Sequence, residues 1–172
     1  VKPVIFAYDG IINVNEDSKI NMPGYQSYGI YQSYYDVITN INGGEIYSKN
    51  IGIEVGCDRN DVKKLNVNKG SVIGEVYGIS STCTNNTVTV GNLDDEVSIS
   101  DPYVEGGLIS INKTAGTLNF YSGLLKGYVR GNPGTVDNVR QGYEIFDDED
   151  EAQIYIRSQK TISVTDHADT PI

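Results

Sequence analysis

Apolar and polar residues alternate in short runs along most of the chain, and glycine-containing turns separate these runs. Three stretches show the pattern most clearly: TNINGGEIYSKNIGIEV from Thr39, KLNVNKGSVIGEVYGIS from Lys64 and TLNFYSGLLKGYVRG from Thr117. Each contains an alternating run with Asn, a turn with Gly, a second apolar run and a second Gly. Alternation with period two is typical of β-strands, so each stretch predicts strand, turn and strand. Their self-similarity predicts a repeat protein.

The copies keep a register of about 26 residues. Ile53 and Ile79, each preceded by Gly, are 79 − 53 = 26 residues apart, and Gly70 follows Gly44 by the same interval. A coil of this length holds three strands of roughly four to six residues and three corners. We therefore expect an all-β fold, a right-handed parallel β-helix (β-solenoid) of about four or five coils. The hand follows the usual crossover preference of parallel strands.

The apolar positions of the predicted strands define the expected core. It comprises Ile41, Ile46, Ile53, Leu65, Val67, Val72, Ile79, Val88, Val90, Ile109, Leu118 and Phe120. Asparagines recur beside these positions, and we expect them to form stacked amide ladders along the solenoid axis. They are Asn13, Asn40, Asn42, Asn66, Asn68 and Asn119.

The chain changes character after residue 131, where NPGT breaks the repeat. The following pattern consists of a strand at Gly142–Phe146, an acidic turn at Asp147–Glu151, a strand at Ala152–Arg157 and a last alternating run at Thr161–Val164. It predicts a C-terminal β-hairpin that caps the open end of the stack. We accordingly divide the chain into solenoid repeats, residues 1–131, and a hairpin cap with a tail, residues 132–172.

Composition and charge narrow the function classes. The chain has 172 residues and a formal net charge of −10, which argues against a nucleic-acid partner because phosphate binding needs clustered Lys and Arg. No apolar run approaches the roughly 20 residues that span a bilayer, so no membrane insertion is expected. The chain has 13 Tyr, 19 Gly and no Trp, which suits pleated sheets and their corners.

The two cysteines, Cys57 and Cys83, are 83 − 57 = 26 residues apart, which is one coil. Equivalent positions on adjacent rungs lie about 4.8 Å apart, within the Cα range of a disulfide. A rung-to-rung disulfide is one interpretation, and a stacked pair of buried reduced thiols is the other. The disulfide would fit an extracellular or cell-surface location.

Candidate chemistry is sparse. The carboxylates Glu45, Glu54 and Glu75 form no catalytic motif, and Glu54 and Glu75 are expected on the solvent face. The single histidine, His167, supplies neither a triad nor a zinc site, so no enzyme is predicted. The acidic runs Asp94–Glu96 and Asp147–Glu151 offer the oxygen ligands that Ca²⁺ takes, but neither resembles an EF-hand loop, so no cofactor is expected. Exposed tyrosines can stack on sugar rings, and Tyr25, Tyr28 and Tyr31 are the candidates.

The repeats NVNKGSVIGEVYGIS and VTVGNLDDEVSISDPYVEGGLISINKTAGTLNFYSGLLKG resemble the degenerate repeats of large surface-exposed, adhesin-like proteins of Gram-positive bacteria. The resemblance covers roughly residues 39 to 131, and Gly116–Gly127 is its most specific segment. It implies a secreted or cell-surface repeat protein, folded as a parallel β-helix, with an adhesive or structural role. It carries over no catalytic residue.

These observations predict a non-enzymatic extracellular structural or adhesive protein. The alternative is a carbohydrate-binding module of a glycan-degrading system. The expected partners are other copies, the rest of a longer chain, a host receptor or a polysaccharide. At the N-terminal end, the apolar strand Val4, Ile5, Phe6, Ala7 and Tyr8 has no obvious cap. We expect it either to continue a longer solenoid or to dock head to tail on another copy, building a fibre.

Overall fold

The computed structural model describes residues 2–58 and 61–159 of the chain. All regular secondary structure in these residues is β-strand, and none of it is a helix that could span a bilayer. In chain order the strands are β1 (Lys2–Ala7), β2 (Gly10–Val14), β3 (Lys19–Met22), β4 (Ser27–Gln32), β5 (Val37–Ser48), β6 (Ile51–Val55), β7 (Lys63–Gly74), β8 (Tyr77–Ser81), β9 (Thr87–Val90), β10 (Tyr103–Gly106), β11 (Ile109–Lys113), β12 (Thr117–Phe120), β13 (Leu124–Gly127), β14 (Asn138–Val139), β15 (Tyr143–Asp148) and β16 (Gln153–Ser158).

The strands stack in parallel on three faces of a β-solenoid. Face A contains β1, β4, β6, β8 and β11 in that order. Face B1 contains β2, the first part of β5, the first part of β7, β9, β12 and β14. Face B2 contains β3, the second parts of β5 and β7, β10 and β13. Because five strands stack on face A, the solenoid makes about four turns, and this confirms the predicted fold class.

Faces B1 and B2 are continuous in two coils because β5 and β7 bend at the corner instead of ending there. Their pairing shifts register on either side of Asn42. At the bend, Gly44 and Gly70 have φ angles of +76° and +82°, a left-handed conformation that side chains disfavour. A Cβ on Gly70 would lie 2.5 Å from the Gly44 carbonyl oxygen, so the two turns stack directly.

The core consists of apolar rows that run along the solenoid axis. One row is Ile30, Ile53, Ile79 and Ile111, which are paired in register on face A. Eleven of the twelve predicted core residues are buried. Ile109 is only partly buried, so its prediction as a core residue is wrong: it pairs with Tyr77, while Ile111 takes the position of Ile79.

A column of small residues on face A lets this face approach face B2 closely. Gly29, Gly52 and Gly78 occupy equivalent positions in three successive coils, each directly before a buried isoleucine. A Cβ on Gly52 would lie 2.5 Å from the Gly78 carbonyl oxygen and 2.8 Å from Cγ1 of Val72 on face B2. In the fifth coil Ser110 takes this place, so the Gly-Ile pair that marks the register is missing there.

The C-terminal end of the stack is covered on all three faces. On face B2, β16 pairs antiparallel with β13 and β15 pairs antiparallel with β16, which confirms the predicted hairpin cap. On face B1, β14 extends the stack beyond β12. Along face A, the Val129 N–H donates to the Leu108 carbonyl and Lys113 Nζ lies 2.7 Å from an Asp137 carboxylate oxygen. The boundary at residue 131 stays a prediction, and the run Thr161–Val164 lies outside the described residues.

Candidate functional site

The two cysteines join adjacent coils at the corner between faces A and B1. Cys57 follows β6 and Cys83 follows β8, and the two strands are neighbours on face A. The cysteines form a disulfide with their Cα atoms 5.4 Å apart. Of the two interpretations of the 26-residue spacing, the rung-to-rung disulfide is therefore correct.

A ladder of side-chain amides runs along the outside of face B1. Each amide nitrogen donates to the oxygen of the preceding rung, from Asn40 to Asn13 at 2.9 Å and from Asn66 to Asn40 at 2.8 Å. The ladder continues through Thr89 and Asn119 to Asn138. A parallel ladder starts at the corner, where Asn68 donates to Asn42, which donates to Asn15. This arrangement satisfies the polar groups of adjacent rungs along the axis, as predicted.

Exposed aromatic side chains gather at the N-terminal part of face A and its corner with face B1. We call Phe6, Tyr8, Tyr28, Tyr31, Tyr34 and Tyr35 the aromatic patch. Phe6 and Tyr31 occupy paired positions on adjacent rungs, with ring centroids 5.4 Å apart. Tyr8 lies 4.9 Å from Tyr34 and 5.3 Å from Tyr35 between ring centroids. Four of the rings, those of Phe6, Tyr8, Tyr34 and Tyr35, are between 38% and 50% exposed.

Glycine at position 56 allows the central ring of this patch to lie against the backbone. A Cβ on Gly56 would lie 2.7 Å from Cε2 of Tyr31 and 2.4 Å from the Gln32 carbonyl oxygen. Both contacts are closer than any side chain tolerates. The orientation of Tyr31 therefore depends on the absence of a side chain at residue 56.

Asp58 lies beside the patch and is oriented by two hydroxyl donors. Tyr31 donates to Asp58 Oδ2 at 2.7 Å and Ser33 donates to the same oxygen at 2.8 Å. Burial of Tyr31 and its hydrogen bond to Asp58 raise the pKa of the phenol, so it remains a donor at neutral pH. Because Asp58 follows Cys57 directly, the disulfide fixes the start of the segment that carries this carboxylate.

Glu54 is the second carboxylate of the region and pairs in register with Tyr31. We predicted a solvent-facing side chain, but it is partly buried. Burial raises its pKa to about 6, a hydrogen bond from Ser80 opposes this shift, and the charge of Asp58 adds to it. Glu54 thus titrates close to neutral pH and can either accept or donate a hydrogen bond.

The predicted tyrosines divide between two places. Tyr28 and Tyr31 are 5.3 Å apart between ring centroids and belong to the patch. Tyr25 is 82% exposed at the turn before β4, where Lys49 Nζ lies 4.7 Å from its ring centroid. The ligand-binding role of all three residues stays a prediction.

The sequence gave weaker signals for the other members of the patch. Phe6 and Tyr31 are 31 − 6 = 25 residues apart, as are the paired residues Ile5 and Ile30, so the coil period could have revealed that contact. No period places Tyr34, Tyr35 or Asp58, because they lie in corners whose lengths differ between coils.

The N-terminal end of the solenoid is open. Among the described residues, β1, β2 and β3 each pair with one neighbouring strand only, which leaves one edge of every face unpaired. One inward-facing isoleucine from each strand, Ile5, Ile12 or Ile20, packs against the core but is only partly buried. The predicted assembly strand Val4–Tyr8 lies here, although β1 ends at Ala7 and Tyr8 belongs to the aromatic patch.

The remaining candidates do not form sites. Within residues 2–58 and 61–159, no group of three or more His, Cys, Asp or Glu is arranged to hold a metal ion. Glu75 accepts a hydrogen bond from the Tyr47 hydroxyl, and the main-chain carbonyl of Asp95 in the acidic insertion accepts one from Arg140 at 2.7 Å. His167 lies outside the described residues.

Comparisons with protein families, with curated proteins and with solved structures give no match to this chain. The class of protein is therefore defined by the fold alone: a disulfide-linked β-solenoid with one open end, one capped end and an aromatic patch.

Proposed function

We propose that this chain is a non-enzymatic structural or adhesive module of an extracellular surface protein, and that it associates along its axis. The observation that carries the proposal is the open N-terminal end. Three unpaired strand edges and three partly exposed isoleucines form a cross-section of the solenoid that another coil would complete. Free sheet edges are competent to pair with further strands, and burial of Ile5, Ile12 and Ile20 would favour such pairing.

The polarity of the chain supports head-to-tail association. Since β15 is antiparallel to β16, which is antiparallel to β13, β15 runs in the direction of the face B2 strands. Its outer edge thus offers β3 of another copy a parallel partner. A contact between two different ends propagates into a fibre unless the rotation closes a ring.

An extracellular location is supported by the disulfide, since such bonds persist mainly in oxidising compartments. The amide ladders and continuous apolar rows support a rigid structural role, because each rung is tied to its neighbours by backbone, side-chain and core contacts.

Axial association can be tested with two neighbouring substitutions on β2. Ile12→Lys places a charge at the open end of the core, where it can reach solvent in a monomer but would be buried by a docking coil. Ile11→Lys is the matched control, because Ile11 is 65% exposed on the outer surface of the same strand. Light scattering at several concentrations, supported by electron microscopy, measures the assembly.

We expect the mass of the unmodified chain and of Ile11→Lys to rise with concentration, while Ile12→Lys stays monomeric. A monodisperse monomer at every concentration would remove axial association from the proposal. Equal association of the two variants would show that the contact lies elsewhere on the surface.

A further inference from the structure

We infer that the aromatic patch binds a neutral polysaccharide whose chain lies along the solenoid axis on face A. The inference rests on the adhesive role proposed for this module and specifies its ligand. It is independent of axial association, which concerns the open end of the core and not the outer surface of face A.

The rings provide a platform of suitable size and chemistry. Phe6 and Tyr31 lie on adjacent rungs, and Phe6 and Tyr8 are 6.5 Å apart along one rung, measured between ring centroids. The platform therefore extends in two directions and exceeds the area of a single sugar ring. Partly exposed aromatic rings offer large, rigid contact surfaces at a low entropic cost, and their faces attract the C–H groups of a pyranose.

The polar groups at the edge of the platform suit hydroxyl-rich ligands. Asp58 accepts hydrogen bonds from Tyr31 and Ser33 through Oδ2, and a carboxylate has further acceptor sites for hydroxyl groups of a ligand. Glu54 adds a second carboxyl group on the next rung. Two carboxylates on a chain of net charge −10 disfavour uronates and phosphate-bearing polymers. A neutral polysaccharide is favoured on both counts.

The register of face A gives the direction of the bound chain. Phe6, Tyr31, Glu54, Ser80 and Asn112 occupy one outward column, one residue from each coil. The column changes from aromatic to hydrogen-bonding residues, and successive positions are about 4.8 Å apart. A polymer that follows this column stacks on the rings at one end and meets polar groups along the rest of its length.

A cationic ligand is the competing class, since aromatic rings and carboxylates also bind ammonium groups. Recognition of a cation uses ring faces that converge around a single charge. Here neighbouring rings are tilted or edge to face, with interplanar angles of 75° for Phe6 and Tyr31 and 33° for Tyr8 and Tyr34. They spread over two rungs of an outer surface. This geometry favours an extended neutral ligand over a point charge.

The test measures binding of the unmodified chain to soluble neutral glucans, mannans and galactans by affinity electrophoresis and calorimetry. Polygalacturonate serves as the anionic probe, and chitosan with a lysine-rich peptide as the cationic probes. The variants are Tyr8→Ala, Tyr35→Ala and Asp58→Asn. Tyr128→Ala is the control, because Tyr128 is 81% exposed and follows the last face B2 strand of the parallel stack. Circular dichroism confirms that each variant folds.

We expect at least one neutral polysaccharide to bind, and its affinity to fall about three- to tenfold for each tyrosine variant. Tyr128→Ala should bind like the unmodified chain, and oligosaccharides that span more rungs should bind more tightly. Binding to the cationic probes alone, lost in Asp58→Asn, would replace the inference with a cation site. Binding to no probe, or equal binding by all variants, would also overturn it. A chain that associates along its axis but binds no polysaccharide would leave the structural role intact.

Discussion

The disulfide between Cys57 and Cys83 should be a major contributor to the stability of the solenoid. We expect replacement of both cysteines by serine to lower the free energy of unfolding substantially without changing the fold. The strands that lead into the bridge, β6 and β8, are already paired in register on face A. The native structure therefore holds the two positions together without the bond, and the effect falls mainly on the unfolded chain.

The magnitude follows from the length of the loop that the bond closes. The cysteines are separated by 26 residues. The chain-entropy relation gives a loss of about 12 cal/mol/K for a loop of that length, or about 3.5 kcal/mol at 25 °C. With a urea m-value of about 2 kcal/mol/M, the unfolding midpoint should fall by about 1.5 to 2 M.

Urea unfolding followed by circular dichroism measures this change, with and without reductant. The oxidised chain should lose stability when reductant is added, and the double serine variant should unfold at the same midpoint in both conditions. A midpoint shift of less than about 0.5 M would refute the loop-entropy argument. Two alkylated thiols in the denatured, unreduced chain would show that the bond does not form.

Three further substitutions test the packing of the core and the corner. Gly52→Ala should destabilise by about 1 to 3 kcal/mol, because its Cβ would meet the Gly78 carbonyl oxygen and Val72, whereas Gly24→Ala, whose Cβ would approach nothing closer than 3.9 Å, should change urea midpoints little. Lys63→Met should raise stability by about 1 kcal/mol or more in the same assay, since Lys63 is buried and its Nζ has no hydrogen-bond partner among the described residues. Glu54 has a raised pKa of about 6, so its contribution to stability is fully present below about pH 4.5 and is lost as the pH rises through 6. Glu54→Gln should therefore stabilise by up to about 2 kcal/mol at pH 7.5 and have little effect at pH 4, with the exposed Glu45→Gln as control; equal effects at both pH values would contradict this account.

The repeat period made most of the scaffold predictable. Once Ile53 and Ile79 are placed one coil apart, parallel stacking fixes every lateral neighbour in the regular strands. The disulfide partners and the contacts of Asn40 and Asn66 in the amide ladder follow from the same number. The error at Ile109 has the same origin: Ser110 replaces glycine in the fifth coil, so no Gly-Ile pair marks the strand there.

The candidate site was harder to predict because most of it lies outside the regular rungs. Tyr34, Tyr35 and Asp58 belong to corners, and corner conformation depends on local backbone angles and not on the coil period. Tyr34 has a φ of +23°, an unusual value for a residue with a side chain. The spacing of three between Tyr25, Tyr28 and Tyr31 also gave an incomplete picture, because Tyr25 contacts Lys49 at a turn.

The distribution of unfavourable groups supports a functional role for the corner between faces A and B1. Lys63 Nζ, Gln32 Oε1 and Asn86 Oδ1 are buried there without hydrogen-bond partners in the described residues, and Glu54 is partly buried nearby. Such groups cost stability, whereas the neighbouring rows of isoleucine and valine contain none of them. The disulfide from Cys57 to Cys83 crosses this same corner and offsets part of that cost. Sequences keep locally unfavourable residues mainly where function needs them, so the bridge and the aromatic patch are best understood together, the one holding in place the corner that presents the other.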